Sequence, residues 1–131
     1  MNTPLYNTPS PTILVIENEV SNRILIERVL STRGYRCLSA SNGREALALL
    51  DRERVDLILT DLSMPVLDGY RTTQLIRARP GLAKVPIVAV TAFALHDEGE
   101  AARQIGCTEY LTKPFKPRQL LEVVDRLLPQ R

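Results

Sequence analysis

The chain is poor in the features that mark specialised protein classes. Nothing in it approaches the roughly 18 consecutive apolar residues that a membrane-spanning helix needs. The segment from Met1 to Pro11 has neither the basic start nor the apolar run of a secretory signal, so a cytoplasmic protein is expected. There are 2 cysteines, Cys37 and Cys107, far apart and without a C-x-x-C spacing. That argues against a metal knuckle or a disulfide framework and leaves buried, reduced thiols as the expectation. Neither G-x-x-x-x-G-K-[ST] nor G-x-G-x-x-G occurs, so neither nucleotide nor flavin is implied. An excess of one charge is also missing. Lys and Arg number 17 against 15 Asp and Glu, a net charge of +2, with no like-charge block to track a nucleic-acid backbone.

What is present fits one soluble α/β domain. At 131 residues the chain has room for a single compact domain, and 44% hydrophobic with 24% charged residues is an ordinary globular composition. Residues 1–11 mix Pro, Asn, Thr and Ser with few sizeable apolar side chains and are expected to be a flexible leader. The domain is placed at 12–128, with 129–131 as a tail and no output module behind it. Within it, short apolar runs alternate with segments of helical period, the pattern of five βα units around a parallel sheet.

The expected strands are Thr12–Ile16, Tyr35–Ala40, Val55–Thr60, Pro86–Thr91 and Tyr110–Thr112. The first is apolar without alternation, as a strand covered on both faces should be. Helices are expected from Ser21 to Arg33, with Gly34 past its end, and from Asn42 as N-cap to about Arg52. Three more are expected over Tyr70–Ala78, over Asp97–Ile105 and from Pro117 onward.

In an open parallel sheet, functional groups gather outside the carboxyl ends of the strands. There the sequence places Glu17-Asn18-Glu19, Asp61, Thr91 and Lys113. Carboxylates beside other oxygen donors suit Mg²⁺, which shares its coordination with phosphate, and a carboxylate can itself be a phosphoryl-accepting nucleophile. Asp61 can serve in both roles. Lys113 can pair with it or with added phosphoryl oxygens, and the Thr91 hydroxyl can donate to one of them.

Four segments, in order and spacing, carry a resemblance: Ile13 to Glu19, Leu59 to Gly69 with its D-x-x-M-P-x-x-D-G pattern, Val88 to Ala92, and Tyr110 to Phe115 with its K-P-F. Over about Thr12 to Leu128 the chain resembles the response-regulator receiver domains of two-component signalling, most of all stand-alone regulators of the DivK kind. The resemblance implies a CheY-like, doubly wound (βα)5 fold with flavodoxin-like strand order 2-1-3-4-5. It implies Asp61 as phosphoacceptor, Lys113 as phosphate-contacting lysine, Thr91 as switch hydroxyl and Tyr110 as aromatic switch. It implies Mg²⁺ held by Glu17, Asn18, Asp61 and the backbone carbonyl of Ser63, and a cis bond before Pro114.

The implied partners are a histidine kinase or histidine phosphotransfer protein and a downstream protein. The latter would dock on the face of the fourth and fifth strands and helices, which carries Ala92, Phe93, Ala94, Leu95 and Phe115. Neither a nucleic acid nor a membrane is implied, and a monomer or weak dimer is expected.

One position departs from the pattern. The family has Asp where this chain has Asn18, which keeps a carbonyl oxygen but removes a negative charge from the metal site, so weakened Mg²⁺ binding is expected. Two readings follow. In the first, Asp61 is phosphorylated and the domain signals by phosphorylation-dependent protein binding; in the second, it is an atypical receiver that binds its partner without phosphorylation. An aspartate-nucleophile phosphatase would want a general acid two residues after Asp61, where Ser63 stands.

The remaining polar residues read as ordinary surface groups. Asp56 is expected to be exposed and Asp68 to be a turn or cap acid. His96 is expected to face solvent at a helix start. Arg71, Arg77 and Arg79 are expected to form a solvated charged face. If the charge at position 18 limits metal binding, Asn18→Asp will tighten Mg²⁺ affinity by about tenfold or more in a calorimetric titration.

Overall fold

Strand alternation determines how the two faces of the sheet are covered. The computed structural model describes residues 10–62, 69–91 and 106–128. Its strands are β1 (Thr12–Ile16), β2 (Arg36–Ala40), β3 (Leu57–Asp61), β4 (Ile87–Thr91) and β5 (Glu109–Thr112). All pair in parallel, in the order β2-β1-β3-β4-β5. The helices among the described residues are α1 (Val20–Ser31), α2 (Gly43–Leu50), α3 (Gly69–Arg77) and α4 (Pro117–Leu127). The helix expected over Asp97–Ile105, with Phe93 and His96 before it, lies outside the described residues, as do Ser63, Asp68 and the tail 129–131.

Because successive side chains in a strand point to opposite faces, each central strand feeds two cores. Ile13, Val15, Leu57, Leu59, Val88, Val90 and Leu111 pack with Ile26 and Leu30 of α1 and Leu120, Val123 and Val124 of α4. Leu14, Ile16, Ile58, Ile87 and Ala89 pack with Ala46 of α2 and Ile76 of α3. Every residue of β1, β3 and β4 is buried, which is why these runs lack polar alternation in the sequence.

Capping follows local chemistry. Asn42 accepts a hydrogen bond from the Glu45 N–H, and Glu45 reaches back to the Ser41 N–H, closing both ends of the α2 entry. Helix α1 begins one residue earlier than expected because Glu19 acts as its N-cap, its carboxylate accepting from the Ser21 N–H. Gly34, at φ +81°, takes the left-handed conformation that lets the chain leave α1 for β2. Both cysteines are free; Cys107 is buried as expected, whereas Cys37 is half-buried. Burial, with Glu27 adding to it, pushes the Cys37 thiol up to about 11, and burial also raises that of Cys107.

Two surface expectations are corrected. Asp56 is half-buried, not exposed, because its carboxylate accepts the Thr12 N–H at 2.8 Å and holds the start of β1 against β3. Arg77 is not solvated. Its Nε and Nη2 donate to the Gly106 carbonyl at 2.9 and 2.7 Å, and its Nη1 donates to the carbonyls of Leu82 at 3.0 Å and Val85 at 2.6 Å. The guanidinium thus ties the end of α3 to the approach of β4 and to the residue that leads into β5. Arg79, the third arginine of that set, pairs with Asp51 at the end of α2.

Arg77→Ala would leave several carbonyls without a donor and is expected to cost about 2 kcal/mol or more in urea unfolding. Arg77→Lys, lacking the planar fork, should recover little of it.

Candidate functional site

The carboxyl edge of the sheet is where the strands stop supplying apolar side chains. Glu17, Asp61 and Lys113 each stand two residues beyond a member of the first core, Val15, Leu59 and Leu111, and so continue the alternation on that face of the sheet. The result is one cluster. Lys113 Nζ lies 3.0 Å from Asp61 Oδ2 and 3.2 Å from Glu17 Oε1. The two acids are nearly inaccessible, with side chains 8% and 2% exposed, whereas the Lys113 side chain is 25% exposed.

Buried carboxylates survive as charges only when paired, and here one ammonium serves two. Burial works against the charge on Lys113, but the hydrogen bond and field of Asp61, joined by those of Glu17, outweigh it and hold its titration above the ordinary lysine range. The ammonium therefore persists throughout the neutral range.

Backbone bonds brace the loop that carries the acidic residues. The Glu17 N–H donates to the Ala40 carbonyl at 3.0 Å, and Arg23 Nη1 donates to the Glu17 carbonyl at 2.8 Å. Glu17 Oε2 accepts from the Glu19 N–H at 3.0 Å, while the carboxylate of Glu19 is occupied at the α1 cap. Between them Asn18 is exposed, in the loop that follows β1.

Thr91 ends β4, fully buried, one residue past Val90, the register partner of Asp61. Its carbonyl accepts the Lys113 N–H at 2.6 Å, which fixes the residue that carries the ammonium. Tyr110 pairs with Ala89 in β5, is half-buried, and packs against the second core. By strand register Thr91 and Tyr110 thus occupy the same side of the sheet on neighbouring strands. The peptide bond between Lys113 and Pro114 is cis. Phe115 packs against the first core, and the rest of the expected downstream face, from Ala92 to Leu95, lies outside the described residues.

One contributor was not singled out from sequence. A Cβ on Gly69 would fall 2.3 Å from the Asp61 carbonyl oxygen and 2.5 Å from Leu62 Cα. The start of α3 therefore lies directly against the backbone of Asp61, and only glycine permits that approach. In sequence the Asp-Gly pair signals a turn, which accounts for the glycine without revealing the contact.

The donors that could hold a metal are all oxygen: the carboxylates of Asp61 and Glu17 and the exposed amide of Asn18. Among the described residues no group of three His, Cys, Asp or Glu forms a metal cluster. One or two carboxylates completed by water and phosphate is the donor set of Mg²⁺, so these residues fit that ion.

A parallel doubly wound sheet with an acid–lysine cluster outside its strand ends defines a receiver-type α/β domain. The family model of the response regulator receiver domain matches residues 13–125, and the chain belongs to that family. Members are phosphoacceptors of two-component signalling and bind Mg²⁺ in the active site.

The chain is 33% identical over 116 residues to the polar-differentiation response regulator DivK of Brucella anthropi, covering 88% of this chain and 94% of that protein. It is 39% identical over 119 residues to the sensor histidine kinase GacS of Pseudomonas protegens, covering 88% of this chain but 13% of the kinase. Among solved structures, chemotaxis protein CheY4 of Vibrio cholerae matches with a TM-score of 0.88 at 30% identity, over 92% of this chain and 100% of that one. The receiver domain of a Pseudomonas aeruginosa sensor histidine kinase, with a magnesium ion coordinated in its active site cleft, matches with a TM-score of 0.84 at 39% identity, over 91% and 98% of the two chains.

Gly69→Ala must displace the Asp61 backbone, the α3 entry, or both. It is expected to cost about 2 kcal/mol in urea unfolding and to shift the amide resonances of Asp61 and Leu62.

Proposed function

We propose that this receiver accepts a phosphoryl group on Asp61 from a histidine kinase or histidine phosphotransfer protein, and signals by protein binding that depends on that modification. The observation that carries the reading is the Asp61 carboxylate, buried at the end of β3 with its Oδ2 3.0 Å from the Lys113 ammonium. In the transfer a carboxylate oxygen of Asp61 attacks phosphorus, the bond from phosphorus to the donor atom breaks, and the leaving group departs with the electron pair. The side chain becomes a more highly charged acyl phosphate, and Lys113 is placed to offset that charge.

Mg²⁺ would be held by Asp61 with the Asn18 amide oxygen, and by the Ser63 carbonyl that the resemblance implies. Bound there, it would neutralise phosphoryl oxygens. Thr91 and Tyr110, on the same side of the sheet, would carry the change to the downstream face as a shift between two packed states. The large exposed hydrophobics among the described residues, Val20, Ile24 and Leu25, all lie on α1, whose start follows the Glu17–Glu19 loop. They offer a protein donor an apolar contact on the helix that follows the Glu17–Glu19 loop.

Intact-protein mass after incubation with acetyl phosphate tests the reading. A phosphate-sized gain is expected with Mg²⁺ and not without it, and it disappears in Asp61→Asn. If no gain appears in the native chain or in Asn18→Asp, partner binding is independent of phosphorylation and Asp61→Asn will leave it unchanged. Leu25→Glu is expected to slow transfer from a phosphohistidine donor protein that serves the native chain, while phosphorylation by acetyl phosphate continues at the native rate.

A further inference from the structure

Helix α3 carries Gly69, Thr73 and Arg77 on one face, each about a turn from the next. Gly69 meets the end of β3. Its N–H donates to the Leu62 carbonyl at 3.3 Å, and a Cβ there would fall 2.3 Å from the Asp61 carbonyl oxygen. Thr73 is fully buried; its hydroxyl donates to the Gly69 carbonyl at 2.8 Å and lies 4.0 Å from the Cys107 sulfur. Arg77 completes the face, with Nε and Nη2 both donating to the Gly106 carbonyl.

Neither end of this face has slack. A Cβ on Gly106 would fall 3.0 Å from Arg77 Cγ and 3.2 Å from its Nε, so the approach to β5 is in close contact with the arginine. The same guanidinium is held by the carbonyls of Leu82 and Val85, and it cannot yield without breaking several bonds. The two ends lie about 12 Å apart, at a rise of about 1.5 Å per residue. Packed interiors have low compressibility, so a helix in contact at both ends passes a shift along its axis instead of absorbing it.

We infer that Arg77 is a positioning residue for Asp61, acting through α3 from the amino ends of β4 and β5. The inference rests on the proposed phosphorylation of Asp61 and adds to its requirements a residue outside the acid–lysine cluster. By fixing the end of the helix on three carbonyls, Arg77 sets how closely Gly69 bears on the Asp61 backbone, and hence where that carboxylate stands. Coupling of this kind is reciprocal, so a shift of the Asp61 backbone also reaches Gly106 and the entry of β5.

Arg77→Lys tests the clamp without removing a charge, since lysine lacks the planar fork that reaches several carbonyls. In the folded variant the amide resonances of Asp61 and Leu62 should shift, while those of Leu120 and Val124, in the opposite core, stay in place. With acetyl phosphate at saturating Mg²⁺, the rate of phosphate uptake should fall by about tenfold, as expected for a displaced reacting group. The reverse experiment perturbs the other end. Gly69→Ala, which leaves Arg77 intact, should shift the amides of Gly106 and Cys107, and the same substitution added to Arg77→Lys should not. The single Gly69→Ala chain also covers the case of a poorly folded Arg77→Lys.

An arginine with a structural role only would lower stability in urea and leave both the Asp61 resonance and the rate of the folded protein native, which would overturn the inference. Shifts spread equally over Leu120 and Val124 would mark general loosening and overturn it as well. So would Gly106 and Cys107 amides that do not respond to Gly69→Ala. If the native chain takes up no phosphate, the functional reading fails by itself, and the resonances still decide whether α3 links Arg77 to Asp61.

Discussion

One ammonium held between two buried carboxylates is the constraint on which the carboxyl edge of this sheet depends. Without Lys113, Glu17 and Asp61 would be neighbouring acids with little access to water and no cation between them. With it, three strand ends are cross-linked: β1 through Glu17, β3 through Asp61 and β5 through Lys113. The carboxylate proposed to take up the phosphoryl group is therefore part of the local stability of the domain. Altering its charge would alter the forces that set where β5 and its neighbours lie, the route by which the proposed modification would reach a distant surface.

Much of this arrangement is legible in the chain itself. The three central strands are where unalternating apolar runs place them, because a strand covered on both faces has no polar positions to break its pattern. The ends of those runs located Asp61, Thr91 and Lys113, since a parallel sheet leaves its crevice there. The DivK-like resemblance was needed to select Asp61 from among the acids, and it gave the strand order.

What was not legible depended on contacts with backbone. Arg77 looks like any helix-surface arginine because its partners are carbonyls, which leave no trace in side-chain pattern. Asp56 reads as exposed for the same reason: its partner is the N–H of Thr12. The engagement of both Glu17 oxygens is equally invisible, as one of the donors is the N–H of Glu19. Sequence pattern reports burial and side-chain chemistry well, and it is blind to which main-chain groups still need a partner.

Glycine and arginine set the two fixed points of α3. At its start the helix backbone presses against Asp61 through Gly69, and at its end Arg77 gathers the carbonyls that lead into β4 and β5. A helix clamped in this way is a poor hinge, so it forms a rigid wall against which the site is built.

The alternation that sends Val15, Leu59 and Leu111 into one core also aims Glu17, Asp61 and Lys113 at one another. Chemistry and packing therefore share a single phase along each strand. Inserting or deleting one residue within β1, β3 or β5 would turn the acid or the lysine away in the same stroke that exposes the core. Related domains can thus vary freely in the length of their loops, while drift in strand length is closed to them by folding before function is ever tested.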